Sequence, residues 1–208
     1  MKPLLLLSTL FLMGCAATQW TSEYVSEEAE NYTAAKVLVV GLSQDQELRK
    51  TYETAVVKAL EDRSLDAVRS GDFFEKNFVD QHHTETELDS LEYQLLEAGF
   101  DVILLTKVIG EEEKVNTMDE VRGASDFYDS FSEDYYNSQD AYRYRQEPVS
   151  YTEYQVQSSI YCICPDKPRE LLWSAVSAQV ESNTPERAVK NYTKELIGRF
   201  DELSMLLD

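Results

Sequence analysis

Asp101-Val-Ile-Leu-Leu-Thr-Lys-Val-Ile109 is the most strand-like stretch of the chain, and its neighbours decide the fold. Its β-branched residues and leucines run on almost without a break, the pattern of a strand covered on both faces. A second run of this kind, Lys36-Val-Leu-Val-Val-Gly-Leu42, lies upstream and ends near a glycine. Between them, Leu48, Tyr52, Ala55, Val56, Ala59 and Leu60 recur at helical spacing, which predicts an amphipathic helix to about Asp62. Ser43 or Asp45 can cap it, with Gln46 in capping-box position to Ser43. Leu65–Ser70 reads as a weak strand, and 71–83, with Phe73, Phe74, Phe78 and Val79, as a short helix or a packed loop. Thr84 and Glu87 make a second capping box before a helix whose Leu88, Leu91, Leu95 and Leu96 share a face, and Gly99 stands where it ends. Strand–helix–strand–helix–strand order implies right-handed crossovers and a partly parallel sheet.

Downstream of Ile109 the pattern changes. Glu111 to Asp140 holds ten acidic residues against Lys114 and Arg122, and tyrosines follow at 128, 135, 136, 142, 144, 151 and 154. A segment of that length inside a domain is functional or disordered, so about 112–148 reads as an excursion from the sheet. Tyr151–Cys164 and Arg169–Val180 flank the turn residues Pro165-Asp-Lys-Pro168 and predict an antiparallel hairpin. Thr184-Pro185-Glu186 then opens a last helix, with Val189, Tyr192, Leu196, Phe200 and Leu203 on its apolar face and Ile197 beside it. The expected class is α/β (α+β): one domain over 36–208, with a mixed sheet of about five strands in the order β-α-β-α-β-β-β-α, helices packed on it, and a long acidic, tyrosine-rich loop.

At the other end, Met1-Lys2-Pro3 precedes an apolar run from Leu4 to Met13, too short to span a bilayer, which needs roughly 20 apolar residues. Leu12-Met13-Gly14-Cys15 resembles the lipobox of bacterial lipoproteins, Leu, Gly and Cys matching well and Met13 standing at the loosest position. The resemblance implies a signal peptide over 1–14 and a diacylglycerol thioether and acylated amine on Cys15. Two or more acyl chains give stable anchoring. Ala16, not an acidic residue, follows the cysteine, which by the same resemblance implies the outer membrane facing the periplasm. Residues 16–34 are polar and acidic without a sustained period and read as a tether, so that 15–35 form lipidated cysteine and linker.

The formal charge is −20, and it becomes more negative once Lys2 is lost. Such a surface repels nucleic acid and anionic headgroups, which removes both as partners. Cys162 and Cys164 would share one face of a strand, too close for easy disulfide geometry, and read as buried small residues; pairing with another chain is the alternative.

No combination of residues marks a catalytic centre. His82 and His83, beside Asp80, Glu85 and Glu87, are weak candidates for a divalent metal, since adjacent histidines rarely reach one ion. They read as solvated residues ahead of a helix. Gly41-Leu-Ser-Gln-Asp45 precedes a helix N-terminus but lacks the glycine spacing of a phosphate loop, and reads as a structural turn. Asp126, Asp129, Glu133, Asp134 and Asp140 do not follow the EF-hand spacing. Tyr128, Tyr135, Tyr136, Tyr142 and Tyr144 are the candidates for partner contact, because tyrosine gives large amphipathic area at low entropy cost.

The whole layout is similar to the small α/β domains of envelope proteins such as the TolB amino-terminal domain and the periplasmic domain of the curli-secretion lipoprotein CsgG. Its one local motif is the hairpin Glu170-Leu-Leu-Trp-Ser-Ala175 after Ile160-Tyr161. The resemblance carries no catalytic residues and implies assembly factors, pore subunits or scaffolds. The expectation is a lipid-anchored, non-enzymatic interaction factor with an envelope protein or peptidoglycan partner and no cofactor. A small-ligand or divalent-metal binder is the alternative.

Overall fold

The computed structural model describes residues 20–29, 32–43, 45–74, 84–116, 149–163, 170–180 and 184–206. In chain order the elements are β1 (Trp20–Val25), β2 (Lys36–Leu42), α1 (Gln46–Glu61), β3 (Asp66–Arg69), α2 (Ser70–Phe73), α3 (Glu85–Glu97), β4 (Val102–Asn116), β5 (Val149–Cys162), β6 (Glu170–Val180) and α4 (Pro185–Leu203). The strands form one open sheet in the order β1-β6-β5-β4-β2-β3. β2 runs parallel to both β3 and β4, and the other pairings are antiparallel.

Alternate residues of β2 choose the two faces. Val37 and Val39 join a core with Tyr52, Val56 and Leu60 of α1 and with Val189, Tyr192, Leu196 and Phe200 of α4. Leu38 and Val40 join a smaller cluster with Leu95 of α3 and Phe100. α1 and α3 therefore lie on opposite faces, with β2 between β3 and β4. This is the arrangement in which a crevice opens beyond the carboxyl ends of adjacent parallel strands. Asp101 fixes the other end: its carboxylate accepts from the amides of Ala35 at 2.8 Å and Lys36 at 2.9 Å, pinning the start of β2 to that of β4. Burial and the neighbouring Asp101 carboxylate push the Tyr32 phenol, which donates to the Asp101 carbonyl, up to about 12.

Capping follows the sequence closely. Asp45 caps α1, accepting from Glu47 and Leu48; Thr84 and Glu87 form the reciprocal box on α3; Thr184 caps α4 with Pro185 at its start. The ambiguous stretch after β3 begins as the short helix α2.

The sheet has six strands, not about five. The extra one, β1, comes from the segment read as tether. Most of β1 is exposed, so no apolar alternation marks it. It is held by main-chain pairing to β6, by Trp20 against Trp173 with centroids 6.0 Å apart, and by Glu23. Glu23 accepts from the Trp173 indole at 2.8 Å and from Arg199 of α4 at 2.8 Å. The strand order is corrected to β-β-α-β-α-α-β-β-β-α.

The excursion is also shorter at its start, because β4 continues through 112–116 in register with β5 down to Asn116↔Val149. Cys162 is buried but disulfide-bonded, not a free thiol. β5 ends at Cys162, so the same-face constraint that argued against a bond stops there. Cys164 lies outside the described residues.

Candidate functional site

A cavity of about 510 Å³ opens where the first turns of α1 and α4 approach each other above the sheet. Its floor is the carboxyl end of the β2–β4 pair, from Gly41 and Thr106, continued by Val156 of β5. Leu48, Arg49 and Tyr52 line it from α1, and Ala188, Val189 and Tyr192 from α4. The size falls in the range of small-molecule sites, roughly 300–1,000 Å³.

Gly41 has a steric reason. A Cβ there would stand 3.0 Å from a ring carbon of Tyr52 and 3.4 Å from Cγ of Arg49. The missing side chain lets both residues settle onto the strand. Its amide donates to the buried Glu53 carboxylate at 3.0 Å, which also accepts from the Ser70 hydroxyl at 2.6 Å. Glu53 thereby ties α1 to the end of β2 and to the start of α2.

Four hydroxyls cross the floor in a continuous chain. Tyr52 meets Thr106 at 2.6 Å, Thr106 meets Ser158, and Ser158 meets Tyr192 at 2.7 Å. The chain runs from α1 through β4 and β5 to α4, and all four residues are buried. Burial pushes both phenols far up, with the Glu53 charge adding to the effect at Tyr52 and the opposite phenol adding at Tyr192. Both are thereby held in the protonated, hydrogen-bonding form at neutral pH.

Gly41, Leu42 and Ser43 border the cavity, but the Asp45 carboxylate already accepts from the amides of Glu47 and Leu48 at 2.9 and 3.1 Å. Two of the amides that would attract an anion at this helix start are thereby taken. Under α3, Leu38, Val40, Leu91 and Leu95 border a smaller apolar gap of about 120 Å³.

Of the residues singled out from the sequence, Cys15, His82, His83, Asp126, Asp129, Glu133, Asp134, Asp140 and the tyrosines 128, 135, 136, 142 and 144 lie outside the described residues. Among the described residues no group of three His, Cys, Asp or Glu gathers to hold a metal. No helix among them is long and apolar enough to cross a membrane.

No family model matches the chain, and no curated protein matches it. Solved structures do. The PelC dodecamer from Paraburkholderia phytofirmans is 8% identical, with a TM-score of 0.44 over 84% of this chain and 92% of that one. Lipoprotein GNA1162 from Neisseria meningitidis is 14% identical, with a TM-score of 0.42 over 81% of this chain and 99% of that one. The hypothetical protein CT253 from Chlamydia trachomatis is 12% identical, with a TM-score of 0.32 over 83% and 94%. Likenesses this distant assign no ligand, partner or assembly to this chain.

The cavity itself had a sequence signal that periodicity passes over. Arg49 and Glu53 occupy inward positions of α1, and Thr106 and Ser158 occupy inward positions of β4 and β5. Polar residues at core positions mark a place where something must be hydrogen-bonded.

Proposed function

We propose that the chain is a lipid-anchored interaction or assembly factor of the bacterial envelope, non-enzymatic, contacting an envelope protein or peptidoglycan. One observation carries the interaction part: a two-stranded ribbon that leaves the body of the domain. The pairing of β4 with β2 stops at Leu42↔Lys107, and that of β5 with β6 begins only at Glu153↔Val180. β4 and β5 nevertheless stay paired out to Asn116↔Val149. Lys114 and Glu153 brace the ribbon with an ion pair of 2.7 Å. At its root Val108 and Ile109 are half exposed.

A ribbon whose outer edges are unpaired among the described residues is a template for strand addition or side-chain docking. The paired Asn116 and Val149 are the last described residues of the ribbon, and the tyrosine candidates for partner contact belong to the stretch of sequence between them. The lipobox residues Leu12–Cys15 support the anchoring part.

Two measurements test the reading. Deleting 125–146 from the full chain should leave the circular dichroism and melting unchanged and remove the species crosslinked to it in envelopes or retained on isolated peptidoglycan. Capture of the same species by the deletion variant would end the ribbon-tip assignment. Cys15→Ser should abolish acyl labelling and move the protein out of the membrane fraction; an unchanged distribution would end the anchor assignment.

A further inference from the structure

We propose that the cavity between α1 and α4 seats one of the acyl chains carried by Cys15. The inference rests on the anchor reading given above and uses no residue of the ribbon tip.

The walls choose an apolar occupant. Among the described residues, Leu48 from α1, Val108 and Val156 from the sheet, and Pro185, Ala188 and Val189 from α4 line the space. Its polar lining is engaged within the protein. The floor hydroxyls of Tyr52, Thr106 and Tyr192 are joined to one another through Ser158. The Gln179 amide donates to Ser177 at 2.9 Å and to Glu195 at 2.8 Å, and Arg49 has a partner of its own. Lys107 follows Thr106 on β4, so its side chain belongs to the other face of the sheet. At the rim, Leu42 and Val108 are 42% and 54% exposed, so apolar surface leads from the outside into the space. A concave, mainly apolar space of this kind is the usual form of a ligand site.

Size limits the occupant to a single chain. A methylene group fills about the space of one liquid water, roughly 30 Å³, so 510 Å³ holds about 17 of them, one long acyl chain and not two.

Position names the source. Trp20, the first residue of β1, pairs with Ser177, and Ser177 pairs with Val156 of the cavity wall. Two interstrand spacings, roughly 10 Å, therefore separate Trp20 from the cavity. β1 runs antiparallel to β6, so it enters the sheet from the end at which Gln179 borders the space. Cys15 lies five residues ahead of Trp20, and extended chain of that length reaches at most about 18 Å. The lipid is thus within reach, and so short a tether holds it at an effective concentration on the order of millimolar. Moving an acyl chain from a bilayer into the cavity exchanges one apolar surrounding for another. The tether and the covering of Leu42 and Val108 then tip the balance toward the cavity.

The test uses the full chain, labelled in growing cells with a palmitate that carries a photoreactive diazirine and irradiated in native envelopes. Mass spectrometry reads first the acyl groups on Cys15 and then the peptides joined to them. Adducts are expected on the α1 peptide holding Leu48 and the α4 peptide holding Val189, within one chain. Ala188→Trp, which fills the space from the half-exposed first turn of α4, should remove those adducts while Cys15 stays acylated. Leu48→Trp, filling it from α1, takes its place if circular dichroism shows the first variant unfolded. Adducts confined to membrane lipid, a crosslinked dimer in place of the intrachain adduct, or cavity adducts indifferent to the filling would each overturn the inference and leave the anchor standing. An unacylated Cys15 would overturn both.

Discussion

Among the described residues, helices lie on both faces of the half of the sheet made of β3, β2 and β4, whereas the half made of β5, β6 and β1 has a helix on one face. The α3-side cluster takes Leu38, Val40, Val68, Ile103 and Leu105 from the first half and nothing from β6 or β1. On that side the second half carries Gln157, Ser159 and Ser174, which bond to one another, and the exposed Tyr24. On the α1/α4 side both halves are covered, α1 over the parallel strands and α4 over the antiparallel ones. The cavity lies between those two helices, above the junction of β4 with β5. Each half is closed by its own helix, and the ligand-sized space is what remains where the two closures meet.

Substitutions can break that contrast. The largest effect is expected at Trp173, fully buried, edge-on to Phe200 at 5.3 Å and to Trp20. It joins β1, β6 and α4, so Trp173→Ala should cost roughly 3–5 kcal/mol in denaturant unfolding. Leu95→Ala empties the thinner α3 side and should cost about 2 kcal/mol, since that cluster has fewer buried members to lose contact. A Leu95 loss equal to the Trp173 loss would show the two faces to be equally important. Thr106→Val removes a hydroxyl from the middle of the chain and should cost about 1–2 kcal/mol.

Acid titration sharpens the comparison further, because an ion pair closes the antiparallel half. The Arg199 guanidinium, helped by the Trp173 indole, holds the Glu23 carboxyl below its ordinary value of 4.5, against the opposing pull of burial. A lowered carboxylate contributes stability that is complete above the ordinary value and is lost as pH falls through the folded one. Glu23→Gln should therefore flatten the acid limb of the stability curve below about pH 4.5, with little effect on its shape at neutral pH. An unchanged acid limb would remove Glu23 from that role. The smallest effect belongs to the open face: Tyr24→Ser should stay within about 0.5 kcal/mol.

The same contrast explains what could be read from the chain alone. β2 and the first half of β4 are covered on both faces, so their composition announces them, and the caps Asp45, Thr84 and Thr184 mark the helix starts. β1 has no such pattern. Its stability comes from hydrogen bonds to β6 and from two contacts remote in sequence, Trp20 with Trp173 and Glu23 with Arg199. The cavity was illegible for a related reason. Arg49, Thr106 and Ser158 register in a periodicity search as flaws in apolar faces, and only the fold brings those flaws together. The ribbon was half legible: Glu112 and Glu113 carry the charge of a loop start, yet they pair in register with β5.

β1 also sets a leash. Cys15 precedes Trp20 by five residues, which extended chain covers in at most about 18 Å. Trp20 pairs with Ser177, Ser177 with Val156 and Val156 with Val108, so the leash is attached at the level where the ribbon begins. From Val108 to Asn116 a straight ribbon advances roughly 26 Å, farther than the leash is long. A domain moored at Cys15 therefore cannot stand with its strands perpendicular to the bilayer and its ribbon clear of the lipid. If Cys15 carries the anchor proposed above, the domain would have to lean over, with the root of the ribbon near the headgroups and the ribbon running along the membrane surface.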